Sequence, residues 1–348
     1  EGLLGHFIAP VAFEIASLGE LEREIFGPVL HVVRFPGAAL AGVVDDINAT
    51  GYGLTLGIHS RLDSTIDFIV ARARAGNVYV NRNIVGAVVG VQPFGGEGKS
   101  GTGPKAGGPR YLRALVREPA REEAATAFEP PVAEGGVAAD LASALAMLAT
   151  AEPGLATIDR NAVLATLSGA VGGIVPSLAR DAAQAIADGR ERELPGPTGE
   201  RNAWRAHPRG LSVALGGADN DAPDMLGQAI AAIAAGNPVL LVPAGDAAPA
   251  ARIASWVRAA GWPGIAVSAA SLEQWSAIPA LAVVLAGDGS RADEAAVALA
   301  ARPGARVPVV RPAGARTRYP VWRLETERTV SVNTVAAGGN AHLLAQMD

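Results

Sequence analysis

The spacing of apolar positions along the chain changes several times, and each change marks a different element. Residues 28–35 (PVLHVVRF) are β-branched and apolar, which predicts a strand. Residues 38–49 have helical spacing, and 54–59 (LTLGIH) again predict a strand. Residues 64–74 (STIDFIVARAR) place apolar side chains at steps of three and four, with Ser64 as the expected N-cap. After Gly76 comes a short strand, 77–80 (NVYV). From Glu118 to about Glu200 alanine-rich helical stretches alternate with Pro130-Pro131, Pro153-Gly154 and Pro195-Gly196-Pro197, which read as a helical connector. Beyond Arg209 the chain alternates again, with strands expected at 211–215, 239–242, 265–267, 281–285 and 307–310. Helices are expected between them at 224–235, 248–260, 272–278 and 293–301. Strands separated by helices of this length imply a doubly wound parallel sheet, so the fold class is α/β. The tail, 321–334 (VWRLETERTVSVNT), alternates polar and apolar residues and predicts a strand or hairpin with an open edge for another chain or domain.

One stretch stands apart from this pattern. Residues 90–103 (GVQPFGGEGKSGTG) contain Gly96-Glu97-Gly98-Lys99-Ser100-Gly101, which fits G-x-G-x-x-G, and Gly98-Lys99-Ser100, which resembles the end of a P-loop. Both nucleotide readings fail on context. A P-loop needs glycine where Pro93 stands, and a helix where Pro104 and Gly107-Gly108-Pro109 follow. The preceding strand also ends more than ten residues earlier, too far for a dinucleotide turn. Two readings remain open on the residues alone: a flexible loop, or a loop that brings backbone N–H groups close to a ligand.

Composition narrows the chemistry. The 348 residues are 49% hydrophobic and 18% charged, as expected of a globular chain. A net charge of −5 and no dense basic stretch argue against nucleic acid as a partner. Cysteine is absent, so no disulfide, thiolate metal site or cysteine nucleophile can form from this sequence. The histidines His6, His31, His59, His207 and His342 have no metal-ligand spacing, and no metal is expected. Two long uncharged stretches, 161–179 and 225–245, are interrupted by Pro176 and by Gly236-Asn237-Pro238, so neither is expected to span a membrane stably. With no signal-peptide pattern, the expected location is cytoplasmic. The opening residues (EGLLGHFIAPVAFEI) carry no structural start signal, and the expectation is of a chain that begins inside a domain.

Specific motifs resemble the aldehyde dehydrogenase superfamily. Glu24-Ile25-Phe26-Gly27-Pro28 is similar to its E-x-F-G-P motif, and 47–59 (INATGYGLTLGIH) to the helix-to-strand segment that follows. The run NRNIVGAVVGVQPFGGEGKSGTGPKAGGPRYL is similar to the glutamate-semialdehyde (pyrroline-5-carboxylate) dehydrogenase branch. The likeness covers residues 1–118 continuously and is strongest to the C-terminal part of the bifunctional flavoenzymes of the proline utilization A family. PGPTGERN (195–202), HPRG (207–210) and VSVNTVAAGGNAHLL (330–344) resemble the C-terminal region of the longer members. That resemblance implies four parts: a catalytic-domain segment (1–118), a helical connector (119–200), a degenerate Rossmann-like domain (201–315) and a C-terminal β-flap used in oligomerisation (316–348).

It also implies roles. Glu24 would accept hydrogen bonds from the nicotinamide-ribose hydroxyls of NAD, and Phe26 would pack beside that ribose. Gly86 and Ala87 would hold the substrate α-carboxylate through backbone N–H groups, and Phe94 would pack on the aliphatic part of the semialdehyde. The family's nucleophilic cysteine, oxyanion-hole asparagine, general-base glutamate and main dinucleotide segment all precede the E-x-F-G-P motif, so no catalytic residue is expected on this chain. By itself it is expected to be inactive. The partners implied are the remaining aldehyde dehydrogenase and proline dehydrogenase modules of the same polypeptide, the latter holding FAD, and further copies in a homo-oligomer.

The segment 231–243 resembles the family's cofactor-domain strand, but Val242 stands where a ribose-binding lysine is expected, and Asp288 would oppose a pyrophosphate. Two functional readings follow: a contribution to an NAD-dependent semialdehyde dehydrogenase, or a non-catalytic assembly and lid module that covers a substrate channel.

Overall fold

The computed structural model describes residues 6–117, 119, 128, 131, 139–217, 222–287 and 289–335. Its first part contains the parallel pair β1 (Val11–Glu14) and β2 (Val29–Val32), helix α1 (Leu40–Ala49), β3 (Tyr52–Gly53), β4 (Thr55–Ile58), α2 (Asp63–Arg72), β5 (Asn77–Val80) and β6 (Glu97–Gly98). Each element expected here is present, and β1, β3 and β6 are additional. Helix α2 begins one residue before Ser64, so Ser64 lies inside the first turn and is not the N-cap. Asp63 supplies the negative charge favoured at a helix N-terminus.

Three helices follow: α3 (Leu141–Leu155), α4 (Arg160–Ala170) and α5 (Val175–Asp188). Asp140 caps α3 by accepting from the Ser143 N–H at 3.0 Å, and Asp159 caps α4 through Asn161 and Ala162. Pro153 falls in the last turn of α3, which stops two residues later. Among the described residues no single helix is long and apolar enough to cross a membrane. The pair α3 and α4 reaches that length only across a 117° bend.

The remaining elements are β7 (Arg192–Leu194), β8 (Glu200–Pro208), β9 (Leu211–Leu215), α6 (Ala222–Ala235), β10 (Val239–Val242), α7 (Ala248–Ala259), β11 (Ile265–Val267), α8 (Leu272–Ser276), β12 (Leu281–Ala286), α9 (Ser290–Ala300), β13 (Val309–Val310) and β14 (Glu325–Asn333). Five of these strands form one parallel sheet in the order β11-β10-β9-β12-β13, the doubly wound arrangement with its switch point between β9 and β12. Alternation along the strands divides the core in two. Ala214, Val239 and Leu241 face a layer built by α4, α5, α6 and α7, whereas Val213, Leu215, Leu240 and Val242 face α3, α8 and α9. The helices of 141–188 are therefore split between both faces of this sheet.

The tail does form a strand, but both its edges are occupied within the chain. A second five-stranded sheet has the order β4-β5-β14-β8-β7. β14 runs parallel to β5, with Thr329 opposite Asn77 and Val332 opposite Val80, and antiparallel to β8, with Glu325 opposite Pro208 and Asn333 opposite Glu200. Sequence periodicity missed β8 because its inward positions include polar Asn202, its outward ones include Arg201 and Arg205, and Trp204 is its one large apolar side chain. Around β4 and β5 a small core forms from Ile58, Ala75, Val78 and Val80, joined by Val330 and Val332 of β14.

Close backbone approach holds the glycine loop against this sheet. A Cβ on Gly76 would lie 2.0 Å from the Gly95 carbonyl oxygen, while one on Gly42, within α1, would meet nothing within 4 Å. Gly76→Ala should therefore lower the urea unfolding free energy by about 1–3 kcal/mol, whereas Gly42→Ala should raise it by about 0.5–1 kcal/mol.

Candidate functional site

The residues that resemble phosphate-binding motifs are committed to local structure. Lys99 donates from Nζ to the Thr50 carbonyl at 2.7 Å and lies 4.8 Å from the centre of the Tyr52 ring. Its N–H bonds Gly51, and Ser100 Oγ accepts from the Gly53 N–H at 3.1 Å. These bonds close the β3–β6 ribbon, and a Cβ on Gly96 would come within 2.6 Å of the Ser100 Cβ. The glycines permit chains to pass closely, and Lys99 and Ser100 lock them together.

The loop upstream carries three of the expected site residues. Gly86 has φ of +84° and, like Ala87, is exposed. Gln92 turns the following stretch, since its Oε1 accepts from the Val88 N–H and its own N–H bonds the Val88 carbonyl. Its amide also donates to Glu200 of β8, which Arg82 and Asn202 contact as well. Phe94 lies at the loop's end, held by a backbone bridge to Ala106 through two N–H to carbonyl bonds of 3.0 and 2.8 Å. Its ring is partly exposed.

Behind Phe94 sits a residue that sequence reading did not single out. Lys105 is buried, and its Nζ donates to Asn77 Oδ1 at 2.7 Å, to the Pro93 carbonyl at 3.2 Å and to the Gly95 carbonyl at 2.8 Å. Burial pulls its pKa down to about 7; Glu327 and Glu97 oppose that effect, and Arg328 adds to it. A lone lysine in GPKAGGP gives no sequence signal for burial.

Charged groups converge where the glycine loop, β8 and β14 meet. Arg110 bonds Glu325 at 2.6 Å with both side chains buried, and the Arg110 guanidinium lies 5.1 Å from the centre of the Trp204 indole ring. Glu327 Oε2 accepts from the Trp204 indole N–H at 3.3 Å and from the Lys105 N–H at 3.2 Å. Arg209, in HPRG, donates to the carbonyls of Thr102 and Glu325 at 2.9 Å each. Burial together with the charges of Arg328 and Arg205 brings the His207 pKa down to about 3, so its ring is neutral and accepts from Arg205. A cavity of about 260 Å³ lies beside this cluster, bounded by Lys105, Arg209, Trp322 and Glu327 among others.

Glu24 and Phe26 lie in the irregular segment leading into β2. Both are exposed, Phe26 to 91%. Among the described residues, no hydrogen bond, ion pair or ring contact joins them to Gly86, Ala87 or Phe94. Phe7, Ile8 and Ile25 are exposed nearby, as are Phe13 and Leu30 on opposite sides of the β1–β2 pair, and among the described residues no further strand pairs with these two. Parallel strands are normally covered on both faces, and two strands alone are marginal.

In the doubly wound sheet, ligands of such folds bind at the carboxyl ends of the strands by the switch point. Among the described residues, buried polar side chains gather near that position. Asp224, buried in the first turn of α6, accepts from Tyr319 Oη at 2.6 Å and from Gln228 Nε2 at 2.8 Å, and a Cβ on Gly287 would lie 3.1 Å from its Oδ2. A buried carboxylate here opposes a phosphate. Val242 is buried in the core, and Asp288 lies outside the described residues.

Comparison with known proteins agrees with these features. Residues 3–118 match the Aldehyde dehydrogenase family model, so this part of the chain is aldehyde dehydrogenase-like. Over 98% of its length the chain is similar to bifunctional proline utilization A proteins. It is 43% identical over 340 residues to the Bifunctional protein PutA of Salmonella typhimurium, covering 98% of this chain and 24% of that protein. The chain thus spans about a quarter of the length of that curated relative. The human mitochondrial delta-1-pyrroline-5-carboxylate dehydrogenase is 38% identical over 114 residues, covering 31% of this chain and 20% of that protein. The solved structure of proline utilization A from Corynebacterium freiburgense has the same fold, with a TM-score of 0.55 at 21% identity, covering 93% of this chain and 27% of that one.

The Lys105 environment sets a pH dependence. Its folded pKa of about 7 lies below the ordinary value of 10.5, so between these pH values the unfolded chain holds more protons than the native one. Its contribution is therefore most unfavourable below pH 7, and stability rises as pH increases toward 10.5. Urea midpoints measured over this range should rise for the native sequence relative to Lys105→Met, which lacks the titrating group.

Proposed function

We propose that this chain contributes the substrate loop and a ribose-contacting segment to an NAD-dependent oxidation of L-glutamate γ-semialdehyde to L-glutamate, the second step in converting proline to glutamate. The observation that carries this reading is the aldehyde dehydrogenase match over residues 3–118, combined with the similarity of that segment to pyrroline-5-carboxylate dehydrogenases. Gly86 and Ala87 would present backbone N–H groups to the substrate carboxylate, and Phe94 would cover its methylene carbons. The exposed loop and the positive φ of Gly86 suit an approach of this kind.

The exposed Glu24 carboxylate and the Phe26 ring fit a ribose edge, where Glu24 would accept hydroxyl hydrogen bonds. NAD, when bound, supplies the hydride acceptor. The nucleophilic thiolate must come from outside this sequence, which has no cysteine. The exposed apolar side chains on both sides of β1 and β2 support a reading in which the rest of an aldehyde dehydrogenase domain packs there. On the same reading, FAD belongs to a proline dehydrogenase module of that longer polypeptide, and the assembly is a homo-oligomer. The division at about residues 118, 200 and 315 is part of this proposal.

A second reading concerns residues 119–348. The Asp224 carboxylate at the switch point supports a scaffold that binds no dinucleotide, and the insertion of β14 beside β5 supports a role in holding the substrate loop. Such a module would act in assembly and in covering a channel, without chemistry of its own.

The 348-residue chain alone should give no semialdehyde-dependent NADH formation in a spectrophotometric assay. In a polypeptide that also carries the cysteine-bearing part, Phe94→Ala should raise the semialdehyde KM or lower kcat while leaving NAD affinity nearly unchanged. An equal loss of NAD affinity would overturn the role given to Phe94.

A further inference from the structure

We infer that Lys105 is a positioning residue for the proposed substrate loop: its ammonium grips the carbonyls on both sides of Phe94 and fixes the backbone from which that ring projects. This rests on the reading of Phe94 as a substrate contact. The geometry is one of matched numbers. An ammonium has three N–H donors, and Lys105 Nζ faces three acceptors, the Pro93 carbonyl, the Gly95 carbonyl and Asn77 Oδ1, at 3.2, 2.8 and 2.7 Å.

Its neighbours grip the same short stretch. Asn77 Nδ2 donates to the Pro93 carbonyl at 2.8 Å, and Asn77 Oδ1 accepts from the Gly95 N–H at 3.1 Å. Ala106, the next residue after Lys105, bridges Phe94 itself in both directions. The main chain and side chain of 105–106 thus hold the three residues 93–95 from two sides. The tail strand joins in, with Thr329 Oγ1 donating to the Pro93 carbonyl at 3.2 Å and Glu327 accepting the Lys105 N–H. The charged groups influencing the ammonium are Glu327 and Arg328 on β14 and Glu97 on β6. No carboxylate contacts Nζ among the described residues, so the ammonium acts on backbone carbonyls and not through an ion pair. A buried cation spent on two carbonyls that flank one exposed ring favours positioning over general cohesion.

The absence of cysteine makes a clean test possible, because Lys105→Cys introduces the sole thiol. Aminoethylation of that thiol in denaturant, followed by refolding, restores an ammonium at nearly the lysine length. Hydrogen–deuterium exchange, run below the Lys105 pKa of about 7 so that the ammonium is intact, then reads the amides of Phe94 and Ala106, with those of β10 as an internal reference. Lys105→Met should accelerate exchange at Phe94 and Ala106 roughly tenfold or more, as expected for lost hydrogen bonds to a charged donor, and leave β10 unchanged. Aminoethylated Lys105→Cys should return to native rates. Thr329→Val, a milder change that removes one donor to Pro93, should give roughly threefold acceleration. If Lys105→Met does not fold, the native protein decides the matter: protection of Phe94 and Ala106 relative to β10 should fall as pH rises through the Lys105 pKa of about 7, and an unchanged ratio would overturn the pin.

In a polypeptide that also carries the cysteine-bearing part, Lys105→Met should raise the semialdehyde KM roughly tenfold with the NAD KM unchanged, in proportion to the same lost bonds. Native exchange rates in the folded variants would overturn the pin whatever the kinetics. Faster exchange with an unchanged semialdehyde KM would leave the pin standing but overturn the substrate reading, and the positioning role with it.

Discussion

The structure depends on one strand being placed between two others. β14 lies near the C-terminal end of the sequence and pairs with β5 from the first eighty residues and with β8 from the middle of the chain. The pairing with β8 runs the length of β14 and that with β5 covers Thr329–Val332, satisfying backbone groups that would otherwise need water or another chain. Because a shift of one residue would reverse which side chains face the core, the burial of Thr329 and Ser331 together with Trp204 fixes the register. This register brings Glu325, Glu327 and Thr329 against Arg110, Lys105 and Pro93.

The charged cluster at that junction follows from the same insertion. Buried ions are costly unless they are paired and hydrogen-bonded. Arg110 meets Glu325, Glu327 meets an indole N–H and a backbone N–H, and Arg209 is satisfied by carbonyls. These are directional contacts between distant parts of the sequence, which makes them suited to specifying one arrangement of loop, strand and sheet. The apolar cores of the doubly wound unit supply bulk stability by contrast, since α6 is buried along almost its whole length.

The two α/β parts carry opposite signatures. Around β1 and β2, large apolar side chains are uncovered and the candidate residues Glu24 and Phe26 stand free in solvent. In the unit around β9–β13, Asp224, Gln228 and Tyr319 are buried near the switch point and bonded to one another. The first part is marked by exposed apolar groups, and the second by buried polar side chains that satisfy one another.

Local periodicity determined most of the elements. The strands 77–80, 211–215, 239–242 and 265–267 were legible because alternating or continuous apolar runs are bounded by glycine and proline. The motif at 24–28 and the run from 81 to 112 carried the family likeness, since those residue types answer to chemistry and not to packing alone. The sequence also excluded a thiol nucleophile and, through Pro93 and Pro104, a P-loop. The tertiary structure decided what depends on partners far apart in sequence. β8 escaped notice because Trp204 is its single large apolar residue, and its pairing with β14 spans more than a hundred positions. The roles of Lys105, Asn77 and Asp224 escaped for the same reason: a polar residue's burial depends on which distant carbonyl, hydroxyl or amide comes to meet it, and spacing along the chain does not encode that.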